Sequence, residues 1–555
     1  MEFCCKKVDN CFADARTYEY ELPVTGEELV SMLVGYEIRE NHRFRRPVFS
    51  AKKGAMEVKG ILASHVIKVN YTAGNWEEEK REMEQWIRDT EICEIGKTES
   101  VCPECLKVIS AKKVVRRDGI YLVKECPEHG RFEALIWEGD VKGYEAWGNR
   151  IQPADRISQA KPADQGCPYD CGLCESHERR GCCVLLEVTS RCNMHCPVCF
   201  AGAGEQKGED VSLQKLEQQM EYLMSHGGPF NLQLSGGEPT VREDLEDIIR
   251  LGRQKGFSFF QLNTNGIRLA KEPDYAMKLK KAGLSCVFLQ FDGLKEEVYE
   301  ILRGRKLLEI KKAAIDACEQ AGLGVILVPV IAPGVNEDQV GEILAYAKSR
   351  MPAVRGVHFQ PISYFGRFPE KPGSYRMTIP KMLSLMEEQT GGVVRGEHFT
   401  GGNATNPYCT FQANYLRQKD GSMKPLLHGA ARATATSKQA QEFVSRQWSG
   451  VKNNCSCEET EEAGCCRKET ESVEKSCCCG ESTSQMQLDT SSLDEFLENV
   501  HNNTFAVSGM LFQDAYNLDL ERLRRCYILE TDSRYGMVPF CAYNLTGSGG
   551  KTLYR

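Results

Sequence analysis

The chain has 555 residues, which is long enough for several domains. A net charge of −8 and an isoelectric point near 5.9 argue against a nucleic-acid-binding protein. No apolar run reaches the ~18 residues of a membrane-spanning helix, and the first residues lack the apolar core of a secretory signal. The 27 cysteines occur at ligand-like spacings and indicate metal sites in a reducing cytoplasm, not a disulfide framework.

The first part of the chain, residues 1–95, is predicted to form a small α/β module of unknown role. Residues 61–71 are rich in β-branched side chains and predict a strand. Residues 76–87 are charged, with Trp76 and Met83 on an apolar face, and predict a helix. No motif in this module indicates a chemistry.

The next motif combines a C-x2-C pair, Cys102 and Cys105, with a C-x2-H pair, Cys126 and His129. Apolar strands between the two pairs predict a hairpin. This pattern is typical of a zinc ribbon or a rubredoxin-like site that holds one zinc or iron ion. His129 is either the fourth ligand or a residue that orients a thiolate.

A cysteine loop with the spacing C-x3-C-x2-C follows, formed by Cys167, Cys171 and Cys174. Cys182 is the predicted fourth ligand, and Cys183 is the alternative. Four thiolates leave no iron of a [4Fe–4S] cluster open, so this loop predicts an auxiliary cluster that carries electrons or supports structure.

A second loop of the same spacing, Cys192, Cys196 and Cys199, directly follows an apolar run at 184–189. A [4Fe–4S] cluster normally takes four cysteines, so three leave one iron open for a small ligand. The alternative is an electron-transfer cluster or a zinc knuckle whose fourth ligand lies elsewhere.

A Gly236-Gly237-Glu238-Pro239 motif lies about forty residues farther along. Two glycines allow a close backbone approach, and a carboxylate accepts hydrogen bonds from an ammonium group. In this order, the second cysteine loop and this motif resemble the radical S-adenosylmethionine (SAM) superfamily. The resemblance implies a SAM-binding [4Fe–4S] cluster on the loop and contacts from this motif to the methionine part of SAM.

Strands and helices alternate between residues 184 and 362, which predicts a parallel barrel of six βα units. The predicted strands are 184–190, 231–235, 257–263, 285–291, 324–331 and 354–362, and the predicted helices are 211–226, 242–255, 274–282, 296–321 and 336–350. Sites in such barrels lie at the carboxyl ends of strands. Asn265 and Asp292 follow the third and fourth strands and are candidates for ribose or substrate contacts; the alternative is a turn role, because each precedes a glycine.

Three isolated cysteines, Cys409, Cys526 and Cys541, are predicted to hold a second auxiliary cluster, with a hairpin between the last two. The alternative is two buried thiols and one surface thiol. Residues 431–490 have few large apolar side chains and predict a disordered insert. Its vicinal cysteines suit soft metal ions, although a tolerated insert is an equal alternative. Residues 546–555 predict a frayed tail.

The Cys-Pro-Glu-Cys and Cys-Pro-Glu-His-Gly ribbon is followed in the sequence by the two cysteine loops. This arrangement resembles the tetraether-synthase-like radical SAM proteins, a group also described as pterin methyltransferases. The resemblance implies an α/β fold: a partial (β/α)6 radical SAM barrel with an amino-terminal module, a ribbon or rubredoxin-like knuckle and a carboxyl-terminal auxiliary-cluster region. The expected divisions are 1–95 for the module, 98–150 for the metal ribbon, 160–183 for the auxiliary loop, 184–365 for the barrel, 366–430 with 491–555 for the auxiliary-cluster region, and 431–490 for the insert.

The resemblance also implies the reaction. A reduced cluster cleaves SAM to a 5′-deoxyadenosyl radical, which takes hydrogen from an unactivated carbon. The electron would come from a low-potential donor such as ferredoxin or flavodoxin, and the oxygen-labile clusters imply an anaerobic setting.

Three functions remain open for such an iron–sulfur enzyme. Tetraether-synthase-type carbon–carbon coupling on a lipid-like substrate predicts a long apolar tunnel and docking at a membrane surface. Radical methyl transfer to a pterin or another small molecule predicts a compact polar pocket. A maturase for soft metals or metalloids would use the vicinal cysteines of the insert.

Overall fold

A computed structural model describes residues 3–8, 16–22, 24–33, 35–71, 74–89, 93–116, 118–149, 161–204, 210–368, 376–402, 406–426, 436–449 and 500–555. The cysteines of the predicted insert lie outside these described residues. Within the described part of the chain, no helix has the length and apolar character needed to cross a bilayer.

The amino-terminal module is a six-stranded antiparallel sheet with two helices. Its elements are β1 (Cys4–Val8), β2 (Arg16–Glu21), α1 (Gly26–Met32), β3 (Glu37–Asn41), β4 (Val48–Lys53), β5 (Met56–Ile61), β6 (Val66–Tyr71) and α2 (Trp76–Asp89). The strand order is β1-β2-β6-β5-β4-β3. The sequence predicts one strand over 61–71, whereas the chain turns between β5 and β6, where the Ser64 N–H donates to the Ile61 carbonyl (3.0 Å). The module has its own apolar core.

A four-stranded antiparallel sheet carries the ribbon. Its elements are β7 (Cys93–Val101), β8 (Val108–Arg116), β9 (Gly119–Cys126) and β10 (Gly130–Glu138), followed by α3 (Val141–Gly148). Two lysines join this sheet to the carboxyl-terminal region. The buried Lys124 ammonium donates to the Ala515 carbonyl (2.7 Å), and Lys113 pairs with Asp519 (2.9 Å).

The centre of the molecule is a parallel barrel sheet. Its elements are β11 (Cys183–Thr189), α4 (Leu213–Ser225), β12 (Asn231–Gly236), α5 (Leu245–Gln254), β13 (Phe260–Thr264), α6 (Ile267–Lys271), α7 (Pro273–Ala282), β14 (Cys286–Gln290), α8 (Glu296–Arg303), α9 (Leu308–Gln320), β15 (Gly324–Val328), β16 (Val330–Ile331), α10 (Val340–Ser349) and β17 (Val354–Pro361). The strands β11-β12-β13-β14-β15-β17 pair in parallel, as predicted. The predicted helix 296–321 is two helices, because Gly304 ends α8 with a left-handed φ of 79°.

The carboxyl-terminal region extends both edges of this barrel sheet. Its elements are α11 (Ile379–Gln389), β18 (Thr410–Arg417), β19 (Met423–Pro425), α12 (Ser437–Trp448), β20 (Thr504–Met510), α13 (Leu520–Leu523), β21 (Ile528–Asp532), β22 (Gly536–Pro539) and α14 (Phe540–Tyr543). Strand β20 pairs in parallel with β17, and β21 pairs in parallel with β11. The predicted hairpin is β21–β22. Short 3-10 turns occur at Pro239–Val241, Glu337–Gln339, Gly396–His398 and Pro407–Cys409.

Within the segment 431–490, which was predicted to be mostly disordered, residues of α12 form a helix. The helix begins with a capping box in which Thr436 and Gln439 bond each other's backbone N–H groups. Trp448 then packs beside a buried apolar cluster that includes Phe288. Composition gave no sign of this helix, because tertiary packing of a few aromatic residues stabilises it.

The predicted frayed tail is also ordered. Tyr554 is buried, and its hydroxyl donates to the Pro168 carbonyl (2.6 Å) and accepts from the Cys171 N–H (2.9 Å). Arg555 pairs with Glu187 of β11 (2.6 Å). These residues therefore connect the tail to the first cysteine loop and to the barrel.

The buried carboxyl group of Glu530 predicts a pH-dependent stability. Neither carboxyl oxygen has a hydrogen-bond partner among the residues that the structure describes. Burial, followed by repulsion from Glu187, raises the pKa of Glu530 well above its usual value. The folded state therefore holds a proton that the unfolded chain loses above pH ~4.3. The contribution of this protonated group to the free energy of unfolding is fully present below pH ~4.3. It falls by up to about 1.4 kcal/mol per pH unit as the pH rises toward the pKa of the folded state.

A Glu530→Gln variant, which does not titrate, is expected to be more stable than the native chain at pH 8 and of similar stability near pH 4.5. Anaerobic denaturant titrations at a series of pH values measure the difference. Parallel stability profiles for the two proteins would contradict this account.

Candidate active site and metal centres

One cavity of about 330 Å³ occupies the interior of the barrel. The walls include Cys183 and Asn231 at the start of β11 and β12, and Cys192 and Glu238 beyond their ends. The cavity therefore spans the length of these strands, about 20 Å for six residues. It joins the second cysteine loop and the glycine motif, which the sequence placed at the carboxyl ends of neighbouring strands.

The loop of Cys192, Cys196 and Cys199 is fixed by two arginines that the sequence analysis missed. Arg367 donates to the Cys196 carbonyl (2.7 Å), and its backbone pairs with that of Cys199 (2.8 and 2.9 Å). Arg303 donates to the Val198 carbonyl (3.1 Å). Both guanidinium groups donate to backbone carbonyls of the loop. The arginines therefore fix the loop and leave its thiols available as metal ligands.

The donor set of this loop fits an iron–sulfur cluster. All three thiols line the cavity. Burial raises the pKa of Cys192 to about 12, and the nearby Glu238, Cys196 and Cys199 add to the rise. Such a thiol becomes a thiolate when a bound cation compensates its charge, which is the usual coupling of metal binding to deprotonation.

The glycine motif places backbone against backbone at the ends of β11 and β12. The Gly237 N–H donates to the Thr189 carbonyl (2.8 Å), and the Glu238 N–H donates to the Arg191 carbonyl (2.9 Å). A Cβ atom on Gly237 would lie 2.1 Å from the Arg191 carbonyl oxygen. The glycines are therefore required for the close contact between this motif and the cysteine loop. The sequence analysis expected the close approach to be made to a bound ligand.

The carboxylate of Glu238 is buried and fully hydrogen-bonded. It accepts from the Thr240 and Thr264 hydroxyls (both 2.6 Å) and from the Asn265 N–H (2.7 Å). Pro239 begins the short turn behind it. These bonds fix the direction of the carboxylate at the cavity wall.

Asn265 connects the third strand to the cysteine loop. Its side-chain N–H donates to Asn193 (2.8 Å), within the loop. The buried Lys311 ammonium donates to the Asn265 carbonyl (2.6 Å) and to Gln290 (3.2 Å). Burial lowers the pKa of Lys311 to about 8. Asn265 remains on the cavity wall, as expected of a ligand-binding residue.

The structure gives Asp292, the predicted contact for ribose or substrate, a different partner. Asp292 is fully buried behind the cavity wall, and both of its carboxylate oxygens accept from Arg303 (2.7 Å each). The carboxylate is therefore engaged by an arginine that itself fixes the cysteine loop. We infer that Asp292 positions the cysteine loop through Arg303. A sequence pattern cannot reveal a long-range partner of this kind.

An Asp292→Asn variant is expected to lose about 3–5 kcal/mol of folding free energy, because it leaves the buried Arg303 charge without its partner. We also expect a lower iron content at the Cys192 loop. The control is Asp316→Asn, whose exposed ion pair with Arg350 is expected to contribute less than about 1 kcal/mol. Anaerobic denaturation and iron analysis measure both variants, and equal losses would contradict the assignment.

The ribbon brings its four predicted ligands together. The ligand atoms of Cys102, Cys105, Cys126 and His129 all lie within 4.8 Å of one another. The His129 Nδ1 atom is 3.4 Å from the Cys126 sulfur and 3.6 Å from the Cys102 sulfur. A tetrahedral zinc site with bonds of about 2.3 Å to sulfur and 2.0 Å to nitrogen requires separations of about 3.5 Å. His129 is thus placed as a ligand, through Nδ1.

The comparisons with known proteins agree with both sites. The model of the radical SAM superfamily matches residues 186–347, and that of the HMPTM N-terminal zinc ribbon domain matches residues 94–138. The 7,8-dihydro-6-hydroxymethylpterin dimethyltransferase of Methanocaldococcus jannaschii is 35% identical over 478 residues, covering 81% of this chain and 93% of that protein. The chain belongs to this family of radical SAM enzymes.

Other relatives share less of the chain. A GTP 3′,8-cyclase of Paenarthrobacter nicotinovorans is 33% identical over 208 residues, covering 37% of this chain and 57% of the cyclase. A solved structure, native anSMEcpe with bound AdoMet and Cp18Cys peptide, has 19% identity and a TM-score of 0.31, with coverage of 39% of this chain and 63% of that one. That structural likeness is too slight to support an argument.

The first cysteine loop of this radical SAM enzyme keeps three thiols close together. Interaction with Cys171 lowers the pKa of Cys167, while the reciprocal interaction and burial raise that of Cys171. Burial raises the pKa of Cys174, which also accepts from the backbone of Ser176 and His177. His177, three residues after Cys174, is buried.

Cys182 lies beside a different group of thiols from the one predicted for it. Its N–H donates to the Tyr527 carbonyl (3.0 Å), and burial, with Cys183 and Cys526 as neighbours, raises the pKa of Cys182. Cys183, the alternative ligand, instead accepts from Gln233 (2.7 Å) inside the barrel. The pairing of Cys182 with the loop at 167–174 remains a prediction, and its neighbours make the carboxyl-terminal cysteines the alternative.

The three carboxyl-terminal cysteines are neighbours, as the sequence predicts. Burial and the nearby Cys409 raise the pKa of Cys526 to about 12, and burial, with Cys526 and Cys409, raises that of Cys541. The buried Arg522 guanidinium donates to the Cys409 sulfur (3.1 Å), and the Gln513 N–H donates to the Cys541 sulfur (3.3 Å). No motif in the sequence indicates this role for Arg522.

Proposed function

We propose that this enzyme is a radical methyltransferase that modifies an uncharged polar heterocycle of the dihydropterin type. The observation that carries the proposal is a row of polar side chains inside a cavity whose surface is otherwise mostly apolar. Amide, hydroxyl and imidazole side chains line the cavity between the glycine motif and α12: Asn231, Gln233, Ser235, Asn263, Gln290, His358, Gln360, Gln412, Asn414 and Ser508. Some of these amides bond neighbouring groups, as Asn263 does to Gln233 (3.3 Å), and the donors and acceptors that remain suit the amide-like edges of a pterin.

The size of the cavity and the row of polar side chains along it favour this substrate class over a lipid. A volume of about 330 Å³ lies within the range of about 300–1,000 Å³ for small-molecule sites. An alkyl chain bound in the cavity would displace water from these amides and could not replace its hydrogen bonds. Each amide group left without a partner would cost about 1–3 kcal/mol of binding free energy. The relative that matches almost over its full length is named for a pterin substrate, which also supports methyl transfer over lipid coupling.

We propose that Gly236, Gly237, Glu238, Pro239 and Asn265 hold the methionine and ribose parts of SAM. When bound, the cluster and SAM together supply a 5′-deoxyadenosyl radical. The residues of the chain fix the cysteine loop, direct the Glu238 carboxylate and exclude water from the barrel interior. For each methyl group, the substrate hydrogen leaves in 5′-deoxyadenosine, a methyl from a sulfonium-type donor replaces it, and a low-potential electron donor supplies two electrons.

We also propose two auxiliary [4Fe–4S] sites. The first uses Cys167, Cys171 and Cys174 as its cysteine ligands. The second uses Cys182, Cys409, Cys526 and Cys541, a full set of four thiolates. Hydrogen bonds from Arg522 and Gln513 to two of these sulfurs support the second set, because such bonds accompany cluster ligands and tune their potential.

The test is an anaerobic reaction of the reconstituted enzyme with SAM, dithionite and 7,8-dihydro-6-hydroxymethylpterin. We expect 5′-deoxyadenosine and a pterin that is heavier by one or two methyl groups in mass spectrometry. SAM with a deuterated methyl group identifies the methyl source. Turnover of an isoprenoid lipid with no change in the pterin would contradict the proposal and favour carbon–carbon coupling.

A further inference from the structure

Helix α12 closes the end of the barrel opposite the cysteine loop. The Asn231 side chain, at the start of β12, donates to the Gln441 carbonyl (3.1 Å), and the Gln441 side chain donates to the Pro229 carbonyl (2.8 Å). Gln447 donates to the Asn414 side chain of β18. The helix is therefore attached to both halves of the sheet around this opening.

One face of α12 forms the floor of the cavity. Phe443, Val444, Gln447 and Trp448 line it, at the spacing of neighbours on one helical face. The Trp448 ring lies 4.8 Å from the Phe288 ring and 6.2 Å from the His358 ring, between centroids. The floor thus presents aromatic rings beside amide groups.

The floor carries no ionised group among the described lining residues. The charged side chains on the cavity wall are Glu238 and Arg303, both at the cysteine-loop end. His358 contacts the Ser508 hydroxyl through Nδ1 (2.9 Å), and burial lowers its pKa to about 4, so it is neutral at pH 7. A phosphate placed here would lose its hydration with no cation to compensate.

We propose that α12 is the specificity-determining floor of the substrate site, where Trp448 and Gln447 receive the flat, uncharged end of the heterocycle. This inference rests on the proposed function, and it adds which element selects the substrate and which substrates are excluded. Trp448 supplies an aromatic surface, and Gln447, which donates one amide N–H to Asn414, supplies its second N–H and its carbonyl oxygen at the edge of that surface. Phosphorylated heterocycles such as GTP are excluded by charge.

The test measures anaerobic binding of 7,8-dihydro-6-hydroxymethylpterin to the reconstituted enzyme by calorimetry, in addition to turnover. We expect Trp448→Ala and Gln447→Leu each to weaken pterin binding by about ten-fold or more, the usual effect of one lost pocket contact. Trp448→Phe should restore part of the affinity. The KM for SAM, which is bound at the opposite end, serves as the internal reference. GTP should not bind.

The matched control is Arg446→Gln, an exposed position on the same helix, which should bind pterin like the native enzyme. Native-like pterin affinity in both Trp448→Ala and Gln447→Leu would overturn the inference, as would GTP binding or a native enzyme that does not bind the pterin. If the native enzyme binds the pterin, the variants do not, and no methyl group is transferred, the floor assignment stands while the proposed reaction fails. Circular dichroism and the KM for SAM show whether a variant has lost its fold, and Gln447→Leu tests the floor if Trp448→Ala has done so.

Discussion

Simultaneous replacement of Cys192, Cys196 and Cys199 by alanine is expected to lower the rate of SAM cleavage at least about a thousand-fold. Enzymes typically accelerate their reactions by about 10⁶-fold or more, so this loss is only part of the full rate enhancement. The physical reason is the loss of every thiolate on the loop that meets the glycine motif. The ribbon and the two auxiliary cysteine groups use other residues, so their metal should remain. The variant should therefore lose about four irons per chain. Formation of 5′-deoxyadenosine and iron analysis measure the two effects.

The matched control for this variant is Cys318→Ala, a buried cysteine on α9. We expect it to keep its iron and its cleavage activity. If the triple variant still cleaved SAM, the loop would not be the site of the reaction. Loss of iron from all sites together would show a folding defect, and single substitutions would then replace the triple variant.

Loss of the ribbon metal is expected to have the largest effect on stability. Structural zinc contributes about 10–16 kcal/mol of apparent binding free energy in small zinc domains, and much of that is folding free energy. A Cys126→Ala variant should lose one metal ion per chain and become sensitive to protease within the ribbon. Because Lys124 and Lys113 join the ribbon to Ala515 and Asp519, the carboxyl-terminal region should also lose stability.

Metal analysis, limited proteolysis and thermal unfolding measure this loss. The control is Cys4→Ala, an exposed cysteine of the amino-terminal module, which should change none of them. Full retention of the ribbon metal in Cys126→Ala would contradict the assignment of Cys126 as a ligand. A parallel His129→Ala variant separates a direct ligand from a residue that only orients a thiolate.

The sequence allowed prediction of features that depend on local spacing. Three cysteines within eight positions place their thiols on one loop in any fold, so the loops at 167–174 and 192–199 were identified before the structure was known. The parallel barrel was predicted because strands and helices alternate along the chain between residues 184 and 362. Each of these features needs only neighbours in the chain.

Several features that depend on distant partners were not predicted. Asp292 was read as a ligand contact because its buried partner Arg303 cannot be inferred from a turn sequence. Cys182 was assigned to the nearest loop, but strand pairing of β11 with β21 places it beside Cys526. Helix α12 was hidden in a polar segment because packing of Trp448 against the barrel, not composition, determines its position.

The most direct test of the central claim, a SAM-binding cluster on the Cys192 loop, is electron paramagnetic resonance of the reduced enzyme with and without SAM. We predict that SAM alters the signal of one cluster, and that this signal is absent from the triple variant, while the signals of the auxiliary clusters remain unchanged. If SAM altered no signal, or altered a signal that persists in the triple variant, the Cys192 loop would not hold the cluster that binds SAM.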